Sequence, residues 1–184
     1  MWSFPKGTDM KLYYAPASSF CQRALIAIYE KQARVELIEV DAFTPTTREM
    51  LAPLNPFREF PVLELDNGRI FFEPSVIVEC IDQSFAGPAL LPDGPQATLE
   101  VRQIERIVDS RLNRCRQLLL DDSQLSPQDR DGPAVCKARK DLDTTCGMLD
   151  ARLEHNEWLV GDTFTIADCC AAPTLHSNRH GTRH

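Results

Sequence analysis

NPFREFPVLELDNGRIFFEPSVIVECI, Asn55 to Ile81, decides how the rest of the chain is read. Phe60, Val62 and Leu65 form one short apolar run and Ile70 to Phe72 a second. Between them, Asp66-Asn67-Gly68 supplies the positive φ angles of a tight hairpin. Two antiparallel strands are expected. Pro74 suits a first helical position, which needs no amide donor, and Val76, Ile77, Cys80 and Ile81 then share one face. Pro61 opens the first strand, where a residue that cannot donate to a sheet is tolerated and a cis bond would be a deliberate feature. The stretch is a β-β-α unit.

Toward the amino terminus, Lys11 to Ala15 (KLYYA) is a β-type run followed by proline, and Ser18 or Ser19 can cap the next helix. Leu25, Ile28 and Tyr29 give that helix an apolar stripe, and Arg34 to Val40 (RVELIEV) alternates as a strand should. FTPTTREMLAPLNP reads as a short helix between proline-rich joints. The order β-α-β-(α)-β-β-α spans residues 10–85.

Toward the carboxyl terminus, Ala86 to Gln96 (AGPALLPDGPQ) reads as a linker, and everything after it as helix. Val101, Ile104, Val108, Leu112, Cys115 and Leu119 step by three and four, as do Val135, Ala138, Leu142, Thr145, Leu149 and Leu153. The polar loop DDSQLSPQDRDGP between them predicts an antiparallel helix pair. A third helix opens at Thr-Ile-Ala-Asp, a capping box with Asp168 in place of glutamate, and its apolar run ends by Leu175. The expected fold class is an α/β unit (10–85), a linker (86–96), an all-α unit (97–175) and a polar tail (176–184).

A net charge of −7 makes nucleic acid or an anionic membrane a poor partner, while a small polar ligand in a local pocket stays open. Seven cysteines, an odd number without CxxC spacing, argue against a disulfide framework or a zinc site and for a reducing compartment. The leader MWSFPKGTD lacks the apolar segment of a signal peptide, so a soluble cytoplasmic protein is expected. His176, His180 and His184 have no carboxylate or cysteine ligand pattern beside them and are read as part of the polar tail, not as a metal site. Arg102, Arg106, Arg111, Arg114 and Arg116 are read as a solvated helix face salted with Glu105 and Asp109.

Three stretches, SSFCQRALIAIYEK, NPFREFPVLEL and WLVGDTFTIADCCAAPTL, together resemble the glutathione transferase family over Lys11 to Leu175. The resemblance implies a thioredoxin-like amino-terminal domain, a shortened helical domain and a homodimer. It also implies glutathione as substrate and a small apolar electrophile as its partner, the chemistry of detoxification. Pro61 would be cis, leaving the Phe60 backbone free for the cysteinyl part of glutathione. Glu73 would take the γ-glutamyl ammonium, and Ser75 would compensate for Pro74, which stands where many members have serine. A sulfur-activating residue falls at Ser18 or Ser19, with Ser18 preferred because SSFC resembles the CPFC of omega-like members, Cys21 keeping the second cysteine.

A free thiol of pKa about 8.5 needs roughly 2.7 kcal/mol of thiolate stabilisation to titrate two units lower. A helix N-terminus supplies about 0.3–1 kcal/mol and a hydrogen bond to a charged group about 1.5–3, so a serine hydroxyl at a helix start combines the two. Glu59 stands where the family often has lysine or glutamine facing the glycine carboxylate, which lowers the expected affinity unless Arg58 turns inward. A non-catalytic interaction module of the same fold, or thiol-disulfide exchange through Cys21, are the alternatives.

Overall fold

Leu12 lies at the centre of a four-stranded sheet, opposite Leu37 in a parallel pairing and opposite Leu63 in an antiparallel one. In the computed structural model, which describes residues 10–41 and 44–181, the strands run in the order β2-β1-β3-β4. They are β1 (Met10–Tyr14), β2 (Val35–Glu39), β3 (Val62–Glu64) and β4 (Ile70–Phe72). Helix α1 (Ser19–Glu30) links β1 to β2, α2 (Pro45–Leu51) precedes β3, and α3 (Pro74–Ser84) follows β4. This is the thioredoxin-like β-α-β plus β-β-α arrangement, and the chain divides into two compact units between Leu91 and Pro92.

In the first unit α1 and α3 pack side by side. Their contact faces differ from the apolar stripes read in the sequence. On α1 the buried residues are Ser19, Cys21, Arg23, Ala24, Ala27 and Ile28, while Leu25 is half-buried and Tyr29 is 68% exposed. Two alanines let a neighbouring helix approach closely, so the tightest face carries small side chains that a search for large apolar residues passes over. On α3, Val78 is buried with Ile77, Cys80 and Ile81, and Val76 is 43% exposed. The hairpin needs only one left-handed residue. Gly68 has φ 76°, its amide bonds the Leu65 carbonyl, and the Leu65 amide bonds the Arg69 carbonyl. That is a three-residue loop closed by a glycine bulge, with Asn67 contributing its side-chain oxygen to the Arg69 amide at 3.0 Å.

The second unit is helical: α4 (Pro95–Ile107), a π-helical turn (Val108–Asn113), α5 (Arg114–Gln124), a 3-10 turn (Pro127–Asp129), α6 (Gly132–Leu153) and α7 (Ile166–Gly181). Helix α4 packs on α7, and α5 on α6. Helix α4 starts inside the stretch read as linker, because Gly94 at φ 100° turns the chain and Pro95 opens the helix. Helix α7 continues past Leu175, through Pro173, to Gly181. The last residue of the apolar run is therefore not the last residue of the helix. Glu105, read as solvated, is only 8% exposed. The leader and residues 182–184 of the tail lie outside the described residues, as do the side chains of residues 177–181 and hence His180. Among the described residues no helix is long and apolar enough to cross a membrane.

Asp168 shows how the start of α7 is built. One carboxylate oxygen accepts from the Leu159 amide at 3.0 Å. The other accepts from the amide and the hydroxyl of Thr165 at 2.9 and 3.0 Å, with the side chain 7% exposed. Thr165 Oγ1 in turn accepts from the Ala167 amide at 3.2 Å. This is the reciprocal capping box, extended to the Trp158–Thr165 loop. Asp168→Ala leaves two buried amides unpaired and is expected to lower the unfolding free energy by about 2 kcal/mol in urea titration. Asp168→Asn, which keeps one acceptor oxygen, is expected to lose about half as much.

Candidate active site

The sheet register gathers the candidate residues. Val62 pairs with Tyr13 on one side and with Phe72 on the other. The loop after β1, the turn before β3 and the turn after β4 therefore open at one end of the sheet. Ser18 and Ser19 follow the first, Phe60 and Pro61 form the second, and Glu73 and Ser75 follow the third. Helices α1 and α3 begin at this same end, so two positive helix termini face one region and favour negative charge there.

Ser18 is the N-cap of α1, with φ −78° and ψ 119°, and its Oγ accepts from the Cys21 amide at 3.4 Å. Capping engages a lone pair of the oxygen and not the hydroxyl proton, so cap and thiolate donor are compatible roles. Ser18 is half-buried, within reach of a ligand. Ser19 is not: it is 4% exposed, and its Oγ is enclosed with no hydrogen-bond partner among the described residues.

Cys21, the one thiol of the SSFC segment, is fully buried. Its sulfur accepts from the Ala15 amide at 3.4 Å. Burial pushes the thiol up, against smaller opposing contributions from the Ala15 and Ser18 hydrogen bonds. An exchange thiol is exposed and acidic, and Cys21 is neither. It fastens the β1-α1 loop. This favours the reading of Cys21 as a buried thiol over the alternative in which it exchanges with a disulfide.

Phe60–Pro61 is a cis peptide bond. The loop before it is held by a residue that the sequence reading gave no role, Asn55, 3% exposed. Its Nδ2 donates to the Glu59 carbonyl at 2.8 Å and its Oδ1 accepts from the Phe57 amide at 3.0 Å. The Asn-Pro dipeptide that opens an Asx turn was the available signal. Arg58 and Glu59 are both exposed, Arg58 with φ 57°.

Glu73 is exposed and has φ 79° and ψ 116°, a backbone conformation that is strained for any residue with a side chain. It caps α3 without a side-chain bond, so its carboxylate points to no helix amide. Pro74 follows at the first position of the helix and Ser75 is half-buried. Among the described residues no group of three or more His, Cys, Asp or Glu is placed to hold a metal ion.

Tyr13, on the β1 register that aligns these turns, donates its hydroxyl to Glu64 Oε2 at 2.8 Å. Burial, the Glu64 bond and the charges of Glu64 and Glu36 push its phenol up to about 12. The folded pKa lies above the unfolded value of about 10, so this contribution is full below pH 10 and is lost as pH rises toward 12. Ultraviolet titration is expected to show a late-ionising phenol that disappears in Tyr13→Phe.

Residues 12–89 match the family model "Glutathione S-transferase, N-terminal domain", and residues 117–181 match "Glutathione S-transferase, C-terminal domain". The chain is 30% identical to glutathione S-transferase 3 of Zea mays over 183 residues, covering 92% of this chain and 79% of that one. This chain belongs to the glutathione transferase family. It is also 28% identical to a stringent starvation protein A homolog of Coxiella burnetii, over 92% of this chain and 76% of that protein. In fold it is similar to a glutathione S-transferase from Methylobacillus flagellatus, with a TM-score of 0.85 at 24% identity, covering 93% and 83% of the two chains. A glutathione S-transferase-like enzyme thus carries its two matched domains on the two compact units described above.

Proposed function

We propose that this protein binds glutathione at the end of the sheet where α1 and α3 begin, and conjugates it to a small apolar electrophile. The observation that carries the reading is Ser18, a half-buried hydroxyl that caps the N-terminus of α1. In this reading the tripeptide's cysteinyl backbone lies along Phe60 and Pro61, and its ammonium meets Glu73. The γ-glutamyl carboxylate meets Ser75 and the α3 terminus. The sulfur faces Ser18, ionises there and attacks the electrophile, forming a carbon–sulfur bond and expelling a leaving group or adding across a double bond. Solved relatives support the ligand: the Methylobacillus flagellatus structure was determined with glutathione bound. The relevant assembly in this reading is a homodimer.

Pro74 and Glu59 favour a second reading, a binding module without turnover, because the first lacks an amide donor and the second repels a carboxylate. Calorimetry separates the two. Binding at millimolar concentration or tighter, together with conjugation of 1-chloro-2,4-dinitrobenzene, is the result expected of the enzyme. A folded sample that takes up no glutathione overturns it.

A further inference from the structure

One buried residue fixes the loop that leads to Phe60. The Asn55 carbonyl accepts from the Arg58 amide at 2.9 Å, its Oδ1 accepts from the Phe57 amide at 3.0 Å, and its Nδ2 donates to the Glu59 carbonyl at 2.8 Å. The Glu59 carbonyl is thereby tied to a buried side chain while the Glu59 side chain itself is exposed. Among the described residues no hydrogen bond or ion pair engages the Glu59 carboxylate.

The sheet places that carboxylate in the site. Past Pro61 the backbone enters β3, where Val62 is paired with Tyr13 on one edge and with Phe72 on the other. A ligand lying along Phe60 therefore finds open chain only on the Glu59 side. With the γ-glutamyl end of glutathione at the α3 terminus and its cysteinyl part at Phe60, the third residue of the tripeptide is the one left to meet Glu59. Glutathione ends there in a carboxylate.

We propose that Glu59 determines specificity, and that the preferred thiol is a γ-glutamylcysteinyl peptide whose terminal carboxylate is masked as an amide, above all an amide extended by an amine. The inference rests on the placement of glutathione proposed above and deepens it. A terminal carboxylate meets a like charge at Glu59, a carboxamide meets none, and an ammonium on the extension pairs with it. The thiol and γ-glutamyl contacts are the same for all three, so the discrimination belongs to binding and KM and not to kcat.

The test is calorimetry of the full chain with glutathione, its glycine carboxamide and its glycine 2-aminoethylamide. The native protein should bind the carboxamide about fivefold tighter than the acid, the effect of two like charges about 4 Å apart in water, and the aminoethylamide tighter still. Glu59→Gln should abolish the ranking and Glu59→Lys should reverse it, with circular dichroism checking that each variant folds. Asp66→Asn, which removes an exposed charge in the hairpin at the other end of β3, should leave the ranking intact. A native protein that binds the acid as tightly as the carboxamide, or tighter, overturns the proposal while leaving the glutathione site standing. So does a ranking that survives Glu59→Gln or that is lost equally in Asp66→Asn. A folded protein that takes up none of the three ligands overturns the glutathione placement and this inference with it.

Discussion

Lys31→Met is expected to destabilise the protein by about 3 kcal/mol in urea denaturation. The lysine is 6% exposed, and its ammonium meets Asp82 Oδ1 at 2.9 Å, the Pro88 carbonyl at 2.9 Å and the Gly87 carbonyl at 3.5 Å. Three donors thus find three acceptors. Asp82 completes the arrangement by accepting from the amides of Leu90 and Leu91 at 2.9 and 3.3 Å. One ion pair therefore fastens the end of α1, the end of α3 and the connecting segment that follows. Removing the cation leaves a carboxylate whose side chain is only 10% exposed without its counter-charge, and strands two carbonyls. The charge makes this costlier than the loss of a neutral cap. Lys31→Met/Asp82→Asn keeps acceptor oxygen for an amide while removing the stranded charge, so the double variant should lose less than the sum of the singles. Strict additivity would show that the two side chains do not act as a pair.

That ion pair also shows where reading the sequence stopped. Lys31 and Asp82 are 51 residues apart, and two of the lysine's three partners are backbone carbonyls that carry no sequence signature. The strands, by contrast, were legible because a hairpin turn and alternating apolar residues act locally. Pro61 and Ser18 were legible for the same reason: one marks the start of a strand, the other the start of a helix. Local grammar failed where packing overrode size. Ala24 and Ala27 are buried while Tyr29 is exposed, and Glu105 is buried on a helix face read as solvated. It left two readings open at Cys21, since the proximity of a thiol to a helix start says nothing of whether it faces solvent or the Ala15 amide. Glu73 was read as the group that takes the γ-glutamyl ammonium. Its positive φ is a property of the fold around it, set by the turn from β4 into Pro74, and no residue type announced it.

Ser18→Ala should lower kcat/KM for conjugation about ten- to a hundredfold near neutral pH, the equivalent of a lost hydrogen bond of about 1.5–3 kcal/mol to a thiolate. The pH-rate profile should move with it. Without the hydroxyl the bound thiol titrates about one to two units higher, so the deficit is largest below the native thiol pKa and shrinks as pH rises through the raised one. Loss of the cap alone would cost about 1 kcal/mol of stability and leave the profile in place. Ser18→Asp separates these effects, because aspartate caps α1 as well as serine does but sets a negative charge beside the sulfur. A folded, stable and still less active Ser18→Asp is expected, as is a Ser19→Ala enzyme indistinguishable from the native one, since the Ser19 hydroxyl is enclosed and has no hydrogen-bond partner among the described residues. If Ser18→Asp turns over as fast as the native protein, the hydroxyl does no more than hold the helix, and the thiolate must be stabilised by the α1 terminus and other donors at that end of the sheet.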